Sequence, residues 1–398
     1  MRLVIPKSLI LIGLLATLLV SAALTAPAPS RDPIQTSIPN VILIEADSGT
    51  VLYEKAPDQP IAPASLAKLM TVETVFDQLT LGNIKLDDEF VISENAWRKG
   101  GAPSGGSAMY AAIRSRVRVE DLLHGVIIQS GNDACIALAE GIAGNEDNFV
   151  RMMNDRAREL GLTKSNFTNP HGLPDPDMRV TVRELAKLTQ HIIRTYPQFY
   201  PWYGEREFTW NKIRQQNRNP LLAMNIGADG LKTGYTSEAG YNLVGSAVQN
   251  GLRLILVVAG ARTAKERADE SRKLLEWGFK GFESRLLFAE GQTVADAKVF
   301  GGTQGSVPLV GPSEIKLMIP RGVNDRITAK LVYTGPVRAP VQQGQRIGTL
   351  QVWRNDFKAL EVPLQAAESV EVGGTIRRAF DAAVELVIGL FRSSTGQI

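Results

Sequence analysis

The chain has 398 residues, of which 44% are apolar and 21% charged, and its formal net charge is +3. That is enough apolar material for a large core and a smaller second one, which excludes a disordered or fibrous chain. Lysines and arginines are dispersed, and no basic stripe is interleaved with aromatics, so a nucleic-acid partner is not expected. The single cysteine, Cys135, cannot form an internal disulfide, and the fold must rest on packing rather than covalent staples. Cys135 follows a polar motif inside an apolar run, where a buried, inert thiol is expected. The three histidines, His124, His171 and His191, are scattered without ligand spacing, so neither metal nor cofactor is expected.

Arg2 and Lys7 precede an uncharged, Leu- and Ala-rich stretch from Ser8 to Ser30. This is the pattern of a secretory signal, assigned to residues 1–28, with small residues at Ser21–Ala23 or Leu24–Ala26 suited to cleavage. The stretch is also long enough to remain as a single membrane span. In either case the remainder is expected to be exported.

Residues 36–280 mix helical and strand patterns. Val41–Ala46 and Val51–Tyr53 predict a hairpin across Asp47, Ser48 and Gly49. Leu66, Leu69, Met70, Val72, Val75, Phe76 and Leu79 recur at helical spacing and predict a helix over 65–80 that Ser65 opens. Further helices are predicted over 119–142, 146–160 and 180–195, and strands over 242–247 and 253–259. The first and last strands are expected to share one antiparallel sheet in an α+β arrangement. From about 285 to 370 short strands alternate with Gly and Pro punctuation, at 293–300, 315–319, 326–333, 346–353 and 358–364, which predicts a small all-β sandwich. Over 374–393, Ile376, Ala379, Phe380, Ala383, Val384, Val387, Ile388 and Phe391 line one helical face, opposite Arg377, Arg378, Asp381, Glu385 and Arg392. Such a helix is too interrupted by charge to cross a bilayer and suits the membrane surface, with arginines near anionic headgroups.

Three short motifs carry the chemistry: Ser65-Leu-Ala-Lys68, Ser130-Gly-Asn132 and Lys232-Thr-Gly234. A Ser-x-x-Lys alone is expected by chance, but the ordered set describes a serine acyl-transfer site. Ser65 and Lys68 share a helical face. A serine hydroxyl needs a base, and lysine serves only if its ammonium is destabilised, which burial, the positive end of the helix and the Lys232 charge would all do. Ser130 could pass a proton to the leaving group, Asn132 could hold the substrate backbone, and Lys232 could tune the Ser130 hydroxyl. The glycines around the third motif would let a substrate backbone lie against a sheet edge as an added strand, with Thr233 and Thr236 offering hydroxyls to a carboxylate.

The motifs are a known signature, and with their flanks (Pro63–Thr71, Gln129–Cys135, His171–Leu173 and Lys232–Asn242) the chain resembles the low-molecular-mass penicillin-binding proteins of the D-alanyl-D-alanine carboxypeptidase type. The resemblance covers nearly the whole chain. It implies a penicillin-binding/serine β-lactamase-like catalytic domain and a β-sandwich. It also implies Ser65 as nucleophile, Lys68 as base, Ser130 with Asn132 as proton relay, and an oxyanion hole from the backbone N–H groups of Ser65 and Tyr235. The substrate carboxylate would meet Thr233 and an arginine of the segment Gly260–Arg267; counting from the third motif places it at Arg267, with Arg262 the competitor. Tyr235 departs from the histidine common in the family, which bears on substrate preference. The segment Asn169–Asp177 lacks the Glu-x-x-Leu-Asn of class A β-lactamases, which argues against efficient β-lactam hydrolysis. The expected partners are stem peptides ending in D-Ala-D-Ala, β-lactams as covalent inhibitors, and the periplasmic face of the bacterial inner membrane, bound peripherally.

Overall fold

The computed structural model describes residues 34–323, 325–379 and 382. The signal-like stretch at 1–28 and most of the 374–393 segment lie outside these residues. Of the latter, 375–379 and 382 are helical and exposed.

A five-stranded antiparallel sheet forms the centre, in the spatial order Val51–Lys55, Asn40–Glu45, Leu252–Ala261, Gly240–Gln249 and Ala228–Thr236. The first and last strands of this half of the chain therefore share one sheet, and the Lys232 strand is its free edge. Asn40–Glu45 is buried at every position because both faces of the sheet are covered. Ile42 and Ile44 face a core shared with the helices, while Val41 and Leu43 face a second core under the helix Ala264–Gly281. Leu252–Ala261 divides the same way, with Ile255, Val257 and Ala259 on one side and Leu254, Leu256 and Val258 on the other.

Two predicted helices differ in detail. The Ser65 segment enters as a 3-10 turn, Ala64–Ala67, and the α-helix proper runs Lys68–Thr80. The single helix expected over 119–142 is broken into Val119–His124, a π turn Gly125–Gln129 and Asn132–Ala143. The break falls at Ser130, whose φ of +69° lies in the left-handed region that no helix accommodates. Glu146–Glu159 and Val182–Thr195 start as ordinary capped helices, with the side chains of Asn145 and Thr181 accepting from the N–H groups of Asn148 and Glu184.

The second domain is a lopsided two-layer β structure. A six-stranded sheet built around Arg346–Arg354 and Phe357–Ala366 is faced by a two-stranded one, Phe282–Phe288 with Ile315–Pro320, around Leu309, Leu317, Val352, Leu360 and Leu364. The two-stranded layer joins the domains: Phe282 and Met318 belong to the core of the central sheet, and the Met318 N–H donates to Thr50 Oγ1 at 3.3 Å.

The helix behind Ser65 is fixed by a charge that no solvent reaches. Glu73 Oε1, fully buried, accepts from Arg156 Nε at 2.9 Å and Tyr196 OH at 3.2 Å and lies 3.1 Å from His191 Nε2. One carboxylate thus ties Lys68–Thr80 to two neighbouring helices. Glu73→Ala leaves these partners with no acceptor and is expected to cost about 2–4 kcal/mol in urea unfolding; a loss below about 0.5 kcal/mol would mean that the network carries no stability.

Candidate active site

Ser65 sits where three pieces of backbone converge. Ala64, just before it, holds φ at +50°, an uncommon conformation for a residue with a Cβ. Gly234 on the edge strand lies so close that a Cβ there would be 3.0 Å from the Pro63 carbonyl oxygen and 3.1 Å from the Ser65 nitrogen. Gly172, at φ +79°, brings a loop in from the other side, where a Cβ would be 2.0 Å from the Ala64 carbonyl oxygen. Any larger residue at either glycine would separate the walls of the site.

Lys68 is fully buried at the start of its helix. Its Nζ donates to Asn132 Oδ1 at 2.8 Å, to Ser65 Oγ at 3.1 Å and to the carbonyl of His171. All three partners are neutral. Burial, with the Arg218 charge adding to it, brings the Lys68 ammonium down to about 8, against weaker opposition from Cys135 and Asp133. Lys232 is also buried, and its Nζ has one hydrogen bond, to the Thr233 carbonyl at 3.3 Å. Burial first, then Lys68, Arg218 and Arg267, push its ammonium well below the usual lysine range.

Ser130 Oγ is buried with no hydrogen-bond partner among the described residues, and no hydrogen bond joins it to Lys232. Its hydroxyl is free to bond an incoming group. Asn132, which opens the Asn132–Ala143 helix, commits Oδ1 to Lys68 and leaves Nδ2 available. The neighbouring Asp133 carboxylate, raised by burial, accepts from the N–H groups of Met109 and Ala111 and so holds the 107–111 loop beside the second motif.

The third motif divides. Thr233 is buried beside Lys232, whereas Tyr235 is 53% exposed and stacks on Tyr241 with ring centroids 4.2 Å apart. Thr236 Oγ1 accepts from the Ala239 N–H and so stabilises the turn after the strand. Arg267 lies 5.7 Å over the ring of Tyr241 on the neighbouring strand, with Nε buried and without a hydrogen-bond partner among the described residues, and it is one of the cations acting on Lys232. Arg262 points away into solvent, paired with Glu266 at the helix start. Of the two arginines, Arg267 is the one whose charge bears on Lys232. Cys135 is fully buried, and burial pushes its thiol up to about 12.

Sequence reasoning missed Arg218, which donates to Ser107 Oγ at 2.7 Å and acts on both lysines. It lies outside all three motifs, and only the fold brings it in. Lys68, Lys232, Arg218 and Arg267 make no ion pair with a carboxylate among the described residues. Four basic groups without a carboxylate partner suit an anion, and the Lys68 amine can exchange a proton with the Ser65 hydroxyl beside it. Among the described residues no group of acidic, His or Cys side chains could hold a metal ion.

Two family profiles cover the chain: one described as D-alanyl-D-alanine carboxypeptidase matches residues 26–263, and one described as the penicillin-binding protein 5 C-terminal domain matches 282–372. The Escherichia coli D-alanyl-D-alanine carboxypeptidase DacC is 42% identical over 364 residues, 91% of this chain and 90% of the relative. Penicillin-binding protein 5 from Haemophilus influenzae superposes with a TM-score of 0.72 at 40% identity, covering 86% of this chain and 100% of that one. Penicillin-binding protein D2 of Listeria monocytogenes, in its ampicillin-bound form, superposes with a TM-score of 0.56 at 29% identity over 62% of this chain and all of that one.

An unpaired buried ammonium is a stability cost, and the cost has a pH signature. A lysine whose folded pKa is lowered destabilises the fold below that pKa, and the penalty fades as pH rises towards the unfolded value near 10.5. Lys232→Met is therefore expected to gain about 1 kcal/mol or more in urea unfolding at pH 7, with the gain shrinking by pH 10.5. A destabilised variant at pH 7, or a gain independent of pH, would contradict the assignment of strain to this amine.

Proposed function

The chain belongs to the D-alanyl-D-alanine carboxypeptidase family, the low-molecular-mass penicillin-binding proteins, and from that membership and the chemistry of its site we propose how it acts. It is a serine-type carboxypeptidase that removes the terminal D-alanine of peptidoglycan stem peptides and is acylated by β-lactams. The observation that carries the reading is Lys68 Nζ, buried among neutral acceptors and 3.1 Å from Ser65 Oγ.

In the proposed cycle the Ser65 hydroxyl gives its proton to neutral Lys68 as Oγ bonds to the carbonyl carbon of the penultimate D-alanine. The oxyanion is held by the N–H groups of Ser65 and Tyr235, which the close approach at Gly234 supports. The tetrahedral species breaks its C–N bond, and the departing D-alanine nitrogen takes a proton through Ser130 or Lys68. Water then attacks the acyl carbon, giving a proton to Lys68, and the Ser65 Oγ–C bond breaks as that proton passes to Oγ; Lys68 is the base in position, since no carboxylate hydrogen-bonds Ser65 or Lys68 among the described residues. Asn132 Nδ2 would hold the substrate backbone. Its terminal carboxylate would enter the field of Lys232, Arg218 and Arg267, with the Thr233 hydroxyl beside it. Thr236 Oγ1 accepts from a turn N–H, which leaves its hydroxyl proton to donate to the same carboxylate.

We place the enzyme outside the cytoplasm, peripherally attached to the periplasmic face of the inner membrane. The signal-like sequence at 1–28 and the apolar helical pattern at 374–393 support this, and Ile376, at the described start of that helix, is 88% exposed.

Intact-protein mass spectrometry after penicillin is expected to give one covalent adduct mapped to Ser65, absent in Ser65→Ala. D-alanine release from a pentapeptide should exceed cleavage of a cross-linked dimer and hydrolysis of nitrocefin. A folded protein that gains no adduct would overturn the assignment. Gly234→Ala, which must widen the gap between edge strand and nucleophile, is expected to slow acylation at least about tenfold with the fold intact.

A further inference from the structure

The sequence motifs account for two of the three partners of the Lys68 amine. The third, the carbonyl of His171, belongs to a loop outside the three catalytic motifs, and the structure shows how that loop is held. His171 is 2% exposed. Its Nδ1 accepts from the Leu173 N–H at 3.2 Å, which assigns the ring proton to Nε2. Nε2 lies 3.2 Å from Glu146 Oε2; burial favours the neutral imidazole, and the two atoms face each other buried, with no other hydrogen-bond partner among the described residues. Glu146 is the first residue of the helix Glu146–Glu159, where a negative side chain suits the positive helix end. Its other oxygen, Oε1, accepts from Lys99 Nζ at 2.9 Å and from Asn95 Nδ2 at 3.1 Å. Burial opposes its charge, but His171, Lys99 and Asn95 hold the Glu146 carboxyl down to about 2.

The loop has little room to find its place otherwise. Asn169 Oδ1 accepts from the Gly172 N–H at 2.7 Å, and Gly172 is pressed on the Ala64 carbonyl beside the nucleophile. A shift of the imidazole therefore moves both the carbonyl on Lys68 and the wall behind Ser65. We propose that Glu146 is a positioning residue for acyl transfer: through the His171 ring it fixes the loop carbonyl that holds Lys68 Nζ at the Ser65 hydroxyl. The inference rests on the assignment of Ser65 and Lys68 given above. A penicillin adduct on Ser65 of the unsubstituted protein is therefore checked first; its absence would fault that assignment and leave this one without a reaction to position.

The test is the rate of Ser65 acylation by a fluorescent penicillin as a function of pH for the full chain, Glu146→Ala and Glu146→Gln. Acylation requires neutral Lys68, so the rate rises with pH through the Lys68 pKa. The charged and titratable groups facing that amine are Asp133 and Cys135 from the second-motif helix, Lys232 from the edge strand, Arg218, and the His171 loop with Glu146 and Lys99 behind it. A hydrogen bond to the charged form favours that form, so releasing the carbonyl lowers the Lys68 pKa. For Glu146→Ala we expect a plateau rate lower by about ten- to hundred-fold and an acid limb displaced to lower pH. Glu146→Gln keeps the shape and an oxygen acceptor, and should recover at least threefold of the loss. A general loss of structure would lower the plateau in proportion to the unfolded fraction, leave the acid limb in place and show in circular dichroism. An unchanged rate, an unmoved acid limb or no recovery with glutamine would each overturn the proposal.

Discussion

The constraint on which the site depends is the burial of a primary amine with no carboxylate to neutralise it. Lys68 is fully buried, and its three partners are an amide oxygen, a hydroxyl and a backbone carbonyl. A carboxylate in place of Asn132 would stabilise the ammonium and silence the base. Neutral acceptors orient the amine while leaving the charged form expensive, by an amount on the order of a few kcal/mol when the pKa falls from its ordinary value to about 8. Arg218 adds to that expense, and with Arg267 it bears on the second buried amine, Lys232. In the proposed cycle the same cations would disfavour a charged amine and attract an anionic chain end.

The remainder of the catalytic domain keeps that arrangement rigid. A sheet buried on both faces sets the edge strand, and the edge strand is pressed so closely on the nucleophile turn that its register fixes the position of the Ser65 and Tyr235 N–H groups. The helix behind Ser65 is tied by Glu73 to two others, and the Asp133 carboxylate braces the loop beside Ser130. Uncommon backbone conformations are found at Ala64 and Ser130, two residues adjacent to or within the motifs, where the packing around them pays for geometry that an isolated peptide would not adopt.

What could be read from the sequence follows the reach of each interaction. Apolar periodicity gave the early hairpin, the helices at 146–159 and 182–195 and most strands of the second domain, because their burial is encoded in local pattern. The break at Ser130 was invisible to periodicity, since the apolar spacing runs through it while a single left-handed residue ends the helix. Short motif spacing singled out Ser65, Lys68 and Asn132, which the Lys68 amine joins in the fold, and the buried Ser130 and Lys232. Arg218 and Glu146 stand outside any local pattern, and each reaches the site through a tertiary contact, to Ser107 and to His171. The two threonines differ in setting: Thr233 is buried beside the lysine, whereas Thr236, three positions on, also accepts a turn N–H at its hydroxyl oxygen.

The account stands or falls on the protonation of Lys68 in the unliganded enzyme. Nitrogen-15 labelling of lysine side chains, with the Lys68 Nζ resonance assigned by its loss in Lys68→Arg, allows that amine to be titrated directly. A transition near pH 8 is the predicted result. A Lys68 amine that remains protonated up to pH 10 would contradict its role as the base and remove the physical ground for the mechanism.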